Sequence, residues 1–296
     1  MELPRCFHRP LAHRGVHDHR VRRIENSAAA FEAAIASGFG IECDVRFAAG
    51  GLPVVFHDAH AQRLLGIDAA TDTLSEAQLC ELAYADGSRV MTFEAFLALV
   101  GGRVPVLAEV KSNRSLPPPA FVAEMSRLAT CYKGPLALMS FDHEWMAAFR
   151  ERAPEVARGL VVSSAGRDQS VTAPDRAGPQ GEAPSDLLVA SDRIDASFAA
   201  FDIKDLPTSA SQALRRIRRI PVFAWTVRDP AELQAAISWA DAPIFEGDVV
   251  GYPVHHGLVD RDTQGVGIAP VPQKSRCTTV LADELLGCLI EQALEV

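Results

Sequence analysis

Two acids in Ile41-Glu42-Cys43-Asp44-Val45 are the first sign of chemistry in this 296-residue chain. In an extended strand alternate side chains share a face, so Glu42 and Asp44 point one way and Ile41, Cys43 and Val45 the other. Paired acids on a half-apolar strand repel one another and lose hydration. A hard cation such as Mg²⁺ or Ca²⁺ removes that cost, because carboxylate oxygens suit it. The competing explanation is an exposed edge strand with its polar residues outward. What favours the cation is the company at other strand ends: His13, Arg14, His57, Glu109, Lys111 and Trp225. Together these supply two histidines, three carboxylates, two cations and an aromatic, the set required for metal-assisted cleavage of a phosphate ester. In that reading the carboxylates hold the metal. The metal, Arg14 and Lys111 neutralise phosphoryl oxygens, and the histidines move protons.

The elements that must position these residues alternate along the chain. Leu11 to Gly15 reads as a short strand ending in a loop, and Asn26 or Ser27 caps a helix with Ala30, Phe31, Ala34 and Ile35 on its face. Ser37-Gly38 stops that helix before the Ile41–Val45 strand, and the turn Ala49-Gly50-Gly51 leads to an extended run from Leu52 to His57. From Ala59 to Gly102 the periodicity is helical and broken, with starts at Thr73–Glu76 and Thr92–Leu97. Val104–Lys111 is the clearest strand, with Glu109 and Lys111 on one face. The spacing then predicts a helix over Pro117–Cys131, a strand over Leu136–Ser140, a helix capped by Asp142, and a strand over Val156–Val162. Beyond a Gly/Pro/Ser-rich loop at 163–185, it predicts a strand at Leu187–Ala190 and a helix around Ser209–Arg219. A strand at Pro221–Thr226, a helix at Pro230–Trp239 and a strand at Ile244-Phe245 complete the series. About eight βα units close a (β/α)₈ TIM barrel. The alternative, an open doubly wound sheet, lacks a glycine-rich dinucleotide fingerprint.

Composition sets the outer limits. The net charge is −9 with no basic block, which argues against nucleic acid as a partner and requires an anionic substrate to meet locally placed cations. The six cysteines show no C-x-x-C spacing, and Met1–Pro10 shows no signal-peptide pattern. No apolar run suffices for a membrane span, so the expected setting is a reducing cytoplasm. His17 and His19 suggest zinc only if distant ligands join them, and a polar loop is the simpler reading. The barrel is expected over residues 1–255 as a single domain, with a small insertion at about 59–102 after the second strand. A linker and an amphipathic helix carrying Leu281, Leu285, Leu289, Ile290 and Leu294 follow at 256–296. That helix offers a face to the barrel or to a second subunit, a route to a homo-oligomer.

Taken in order, these pieces resemble one known family. His13-Arg14-Gly15, Glu25-Asn26-Ser27, Glu42-x-Asp44, His57-Asp58, Glu109-x-Lys111 and Trp225-Thr226-Val227 are similar to the successive motifs of the glycerophosphodiester phosphodiesterases. The resemblance implies a TIM barrel that hydrolyses a small-molecule glycerophosphodiester to glycerol phosphate and an alcohol with a divalent metal, Mg²⁺ or Ca²⁺. It implies Glu42, Asp44 and Glu109 as metal ligands and His13 and His57 as the acid/base pair. It also implies Arg14 and Lys111 as phosphate contacts, Trp225 as a pocket wall, and attack by the substrate's own 2-hydroxyl. Phospholipase D-like or sphingomyelinase D-like lyases share the barrel, and a non-catalytic binding barrel is the third alternative. The chain departs from the family pattern at Phe47–Gly51, at Arg228 where Asn is usual, and at Phe245-Glu246-Gly247-Asp248 where a Thr-Asp-x-Pro-like segment is usual.

Overall fold

The computed structural model describes residues 2–113, 116–163 and 184–251. Eight strands run parallel: β1 (Leu11–Ala12), β2 (Gly40–Phe47), β3 (Val106–Val110), β4 (Leu136–Ser140), β5 (Ala157–Val162), β6 (Phe198–Asp202), β7 (Val222–Val227) and β8 (Ala242–Phe245). Each pairs with the next, and β1 pairs with both β8 and β2, so the sheet closes into a (β/α)₈ TIM barrel. Closure excludes the open doubly wound sheet. It also removes the edge-strand explanation for Glu42 and Asp44, because β2 is flanked by β1 and β3 and both acids are fully buried.

Side chains alternate between two apolar layers, as the strand period demands. Ile41, Cys43 and Val45 face outward into the main core with the helices, where Phe31, Phe96 and Trp145 also pack. Leu11, Leu107, Met139, Phe198 and Phe223 fill the barrel's interior, closed at its N-terminal end by Leu3 and Phe7. On β2 and β3 the inward positions turn ionic toward the C-terminal ends, giving Glu42 and Asp44 beside Leu107 and Glu109. The same two-residue period that builds the core thus sets the charged groups.

Three expectations need correction. Leu187–Ala190 is not a strand; it lies inside a helix, Pro184–Ile194, that buries Leu187, Ala190 and Ile194 along one stripe. The actual strand is Phe198–Asp202, whose Phe-Ala-Ala-Phe run is buried on both faces and so carries no alternation to read. In the extended run Leu52–His57 only Pro53–Val55 is strand, and it pairs antiparallel with β2 outside the barrel. The segment 59–102 is also divided. Its last helix, Phe93–Val100, packs Phe96 on Phe31 at 4.6 Å in the main core and serves as the barrel helix between β2 and β3. What precedes it forms a small separate core of Val54, Phe56, Leu74, Leu79 and Tyr84. Residues 164–183 of the expected loop, the linker and the C-terminal helix lie outside the described residues.

Candidate active site

The first motif sits where β1 ends. Gly15 has a φ of 78°, and a Cβ there would stand 2.8 Å from the backbone of Ala30, so glycine alone fits. This close approach brings the loop onto β2: the Arg14 N–H donates to Glu42 Oε2 at 3.0 Å, and Arg14 Nε lies 3.1 Å from Asp44 Oδ2. Ser27, not Asn26, caps the helix Ala28–Ala36, its Oγ accepting from the Ala30 N–H at 3.3 Å. Asn26 is thereby released for the site. Its Nδ2 donates to Asp44 Oδ2 at 2.8 Å and its Oδ1 accepts from the Asp44 N–H at 3.3 Å.

Asp44 and Glu109 are register neighbours on β2 and β3, and oxygens of Glu42, Asp44 and Glu109 lie within 4.8 Å of one another. Lys111 Nζ sits 2.6 Å from Glu109 Oε1 and 3.1 Å from Asp44 Oδ1. The three buried acids do not titrate alike. Burial favours the neutral form of all three, but Lys111 and Arg14 outweigh it at Asp44 and hold its carboxyl well below the usual range. At Glu42, burial and the neighbouring Asp44 and Glu109 push the carboxyl well above it. Glu109 is also raised, chiefly by burial. Three buried carboxylates thus face two cations, Arg14 and Lys111, and burial opposes the charged form of Glu42 and Glu109.

His57 lies beyond the antiparallel strand, buried, with Nδ1 2.7 Å from Asp58 Oδ1. Arg63 grips Asp58 at 2.6 Å and Glu25 at 2.8 Å, and Glu25 accepts from Arg14 at 2.8 Å. A continuous line of charges thus links His57 to Arg14 through Asp58, Arg63 and Glu25. Burial would raise both acids, yet hydrogen bonds from Arg63, and from His57 at Asp58, bring each down to about 2. Arg63 was not legible in the sequence: it sits in the insertion, and only tertiary packing places it between two motifs.

His13 faces the last strand, with Nδ1 3.5 Å from Glu246 Oε2. Burial, and then Arg14, lower its pKa to about 4. Arg228 holds the same Glu246 oxygen at 3.0 Å. Two of the three departures from the family pattern, Arg228 and the segment carrying Glu246, are therefore partners, a relation that neither shows alone. Trp225 is half-buried, donates from Nε1 to the Ala200 carbonyl at 3.1 Å, and stands edge-on to Phe141. Arg14, Glu42, Asp44, Glu109 and Lys111 thus form one contact network, to which Glu25 and Arg63 join His57. His13 follows β1 and Trp225 lies on β7, with β8 between them.

The closed barrel thus carries a cluster of ionic groups on its strand ends. The chain matches the glycerophosphoryl diester phosphodiesterase family over residues 13–248 and belongs to that family. Solved structures share the fold. An Oleispira antarctica phosphodiesterase in complex with the product sn-glycerol-3-phosphate is 20% identical, with a TM-score of 0.65 over 82% of this chain and 93% of its own. The Thermotoga maritima glycerophosphodiester phosphodiesterase is 22% identical, with a TM-score of 0.62 over 79% and 92%. One from Parabacteroides distasonis is 19% identical, with a TM-score of 0.62 over 80% and 92%. No curated protein matches the sequence significantly.

Proposed function

We propose that this phosphodiesterase cleaves glycerophosphodiesters to glycerol phosphate and an alcohol with a divalent cation held by Glu42, Asp44 and Glu109, and with His13 and His57 exchanging protons. The observation that carries the reading is the convergence of three buried carboxylates, with Glu42 Oε1 buried and lacking any hydrogen-bond partner. An all-oxygen donor set of this kind fits Mg²⁺ or Ca²⁺. When bound, the ion supplies positive charge against the phosphoryl oxygens.

The chain's own residues do the rest. Arg14 and Lys111, already fixed by Glu25, Asp44 and Glu109, present charge to the phosphate without reorganising. Asp58 at Nδ1 sets the tautomer of His57 and directs Nε2 to proton transfer. His13, kept neutral by burial, is suited to accept a proton at neutral pH. We assign the attack to the substrate's glycerol 2-hydroxyl, because an attached nucleophile is already positioned. Trp225 serves as a wall of the pocket. The Oleispira antarctica relative, solved with sn-glycerol-3-phosphate, supports glycerol phosphate as the product. Cys6, Cys43 and Cys131 are free thiols, which supports a cytoplasmic setting. Among the described residues no helix is long and apolar enough to cross a membrane.

The test is incubation with glycerophosphocholine and Mg²⁺ or Ca²⁺, assaying free choline and glycerol phosphate. Chelator-sensitive release of both is the expected result. Release unaffected by chelator and by Glu42→Gln would remove the metal from the mechanism.

A further inference from the structure

We propose a second metal site, for a borderline transition ion of the Zn²⁺ class, built from His13 Nδ1, His17 Nε2 and the Glu246 carboxylate. These ligand atoms lie within 4.8 Å of one another. The individual separations are diagnostic. His13 Nδ1 is 3.5 Å from Glu246 Oε2 and His17 Nε2 is 3.7 Å from Glu246 Oε1. Both exceed the roughly 2.7–3.2 Å of a good N–H···O bond. They are close to the spacing of about 3.4 Å that two ligands adopt around a tetrahedral ion held at about 2.0–2.1 Å.

A second observation is independent of the spacing. The His17 side chain is 7% exposed, and both of its ring nitrogens are buried without a hydrogen-bond partner. A buried imidazole with nothing on either nitrogen costs free energy that a ligand would recover. Burial keeps both rings toward the neutral form, the one that binds metals. The donor set of two nitrogens and one carboxylate leaves a fourth position open and differs in kind from the all-oxygen cluster of Glu42, Asp44 and Glu109. The opposing groups are Arg14, whose charge bears on both histidines but is already paired with Glu25 and Asp44, and Arg228, which holds Glu246 Oε2 at 3.0 Å but is 55% exposed and so has room to swing into solvent.

The site does not depend on what the enzyme hydrolyses; only its effect on turnover rests on the proposed role of His13. Coordination at Nδ1 leaves the ring proton on Nε2, so the imidazole can donate there but no longer accept. A Zn²⁺-class ion is therefore an inhibitor of an enzyme that a hard cation activates.

The experiment titrates Co²⁺ into the full-length protein with Mg²⁺ saturating, reading visible d–d absorption, and in parallel measures Zn²⁺ inhibition of hydrolysis. The wild type should show tetrahedral cobalt bands at one equivalent and zinc inhibition. His17→Gln should lose the bands and raise the inhibitory zinc concentration at least about 100-fold, since even an outer-shell partner is worth about 10–100-fold. Glu246→Gln reads the same site from the last strand should His17→Gln fail to fold, and Arg228→Gln should strengthen binding. Bands that persist in folded His17→Gln and Glu246→Gln would overturn the site. Bands lost in both, with zinc harmless to the wild type, would keep the site and overturn the proton-accepting role of His13.

Discussion

Glu25 joins two motifs through charge alone, and its removal has a calculable effect. Its side chain is 6% exposed and accepts from Arg14 and from both terminal nitrogens of Arg63. Its carboxyl is depressed from 4.5 to about 2. At about 1.36 kcal/mol per unit, that difference corresponds to about 3 kcal/mol of stability at neutral pH. Arg63 is 43% exposed, so solvent screens part of its share, and about 2–3 kcal/mol is the expected loss for Glu25→Gln. At an unfolding entropy of about 2.1 cal/mol/K per residue, that lowers Tm by about 3–5 °C. The sign of the pH dependence follows from a folded pKa below the unfolded one. The contribution is complete above about pH 4.5 and is lost as pH falls toward 2, with less than about half remaining at pH 3. Urea unfolding of wild type and Glu25→Gln at pH 7, 5, 4 and 3 measures this directly. A gap between the two that stays constant from pH 7 to pH 3 would refute the ionic account and leave only packing.

The other predictions concern chemistry. Glu42→Gln should abolish metal-dependent turnover, yet raise Tm in chelator by removing a charge that burial and two neighbouring acids oppose; melts with and without Mg²⁺ check both halves. His13→Ala and His57→Ala should each lower kcat by at least ~10²-fold in steady-state assays with the fold intact by circular dichroism. A 2-deoxy analogue of the glycerophosphodiester should bind competitively but scarcely be cleaved, and its rapid cleavage would assign the attack to water instead. Asp58→Asn should lower kcat more than it raises KM, because it loosens the tautomer of His57 rather than a substrate contact.

What was legible in the sequence followed from strand periodicity. Glu42 with Asp44, and Glu109 with Lys111, share a face because two residues separate them, and no tertiary information is needed to see it. Caps were legible for the same local reason, as at Asp142 and at Thr92. The fold failed to read where local signals coincide. Leu187–Ala190 is apolar enough for a strand, and only Ile194 one turn beyond reveals the helical stripe. Phe198–Phe201 offers no alternation, since both of its faces are buried. In the site, Asn26 is visible as a motif member and as one of two candidate caps, while Arg63 and the Arg228–Glu246 pair depend on contacts across the fold. Charge partners brought together by loops leave no period in the chain.

His57 does not stand on a barrel strand. It follows Pro53–Val55, an antiparallel strand; Val54 of that strand and Phe56 just beyond it pack into the insertion's own small core, and Arg63 ties that insertion back through two acids. One half of the proposed proton-transfer pair is thus mounted on a small core of its own, the kind of unit in which local opening is expected to precede global unfolding. Partial opening there would carry His57 away while the eight parallel strands remain paired. Inactivation by mild denaturant should then run ahead of the loss of the barrel's circular dichroism, and the enzyme would fall silent while still folded.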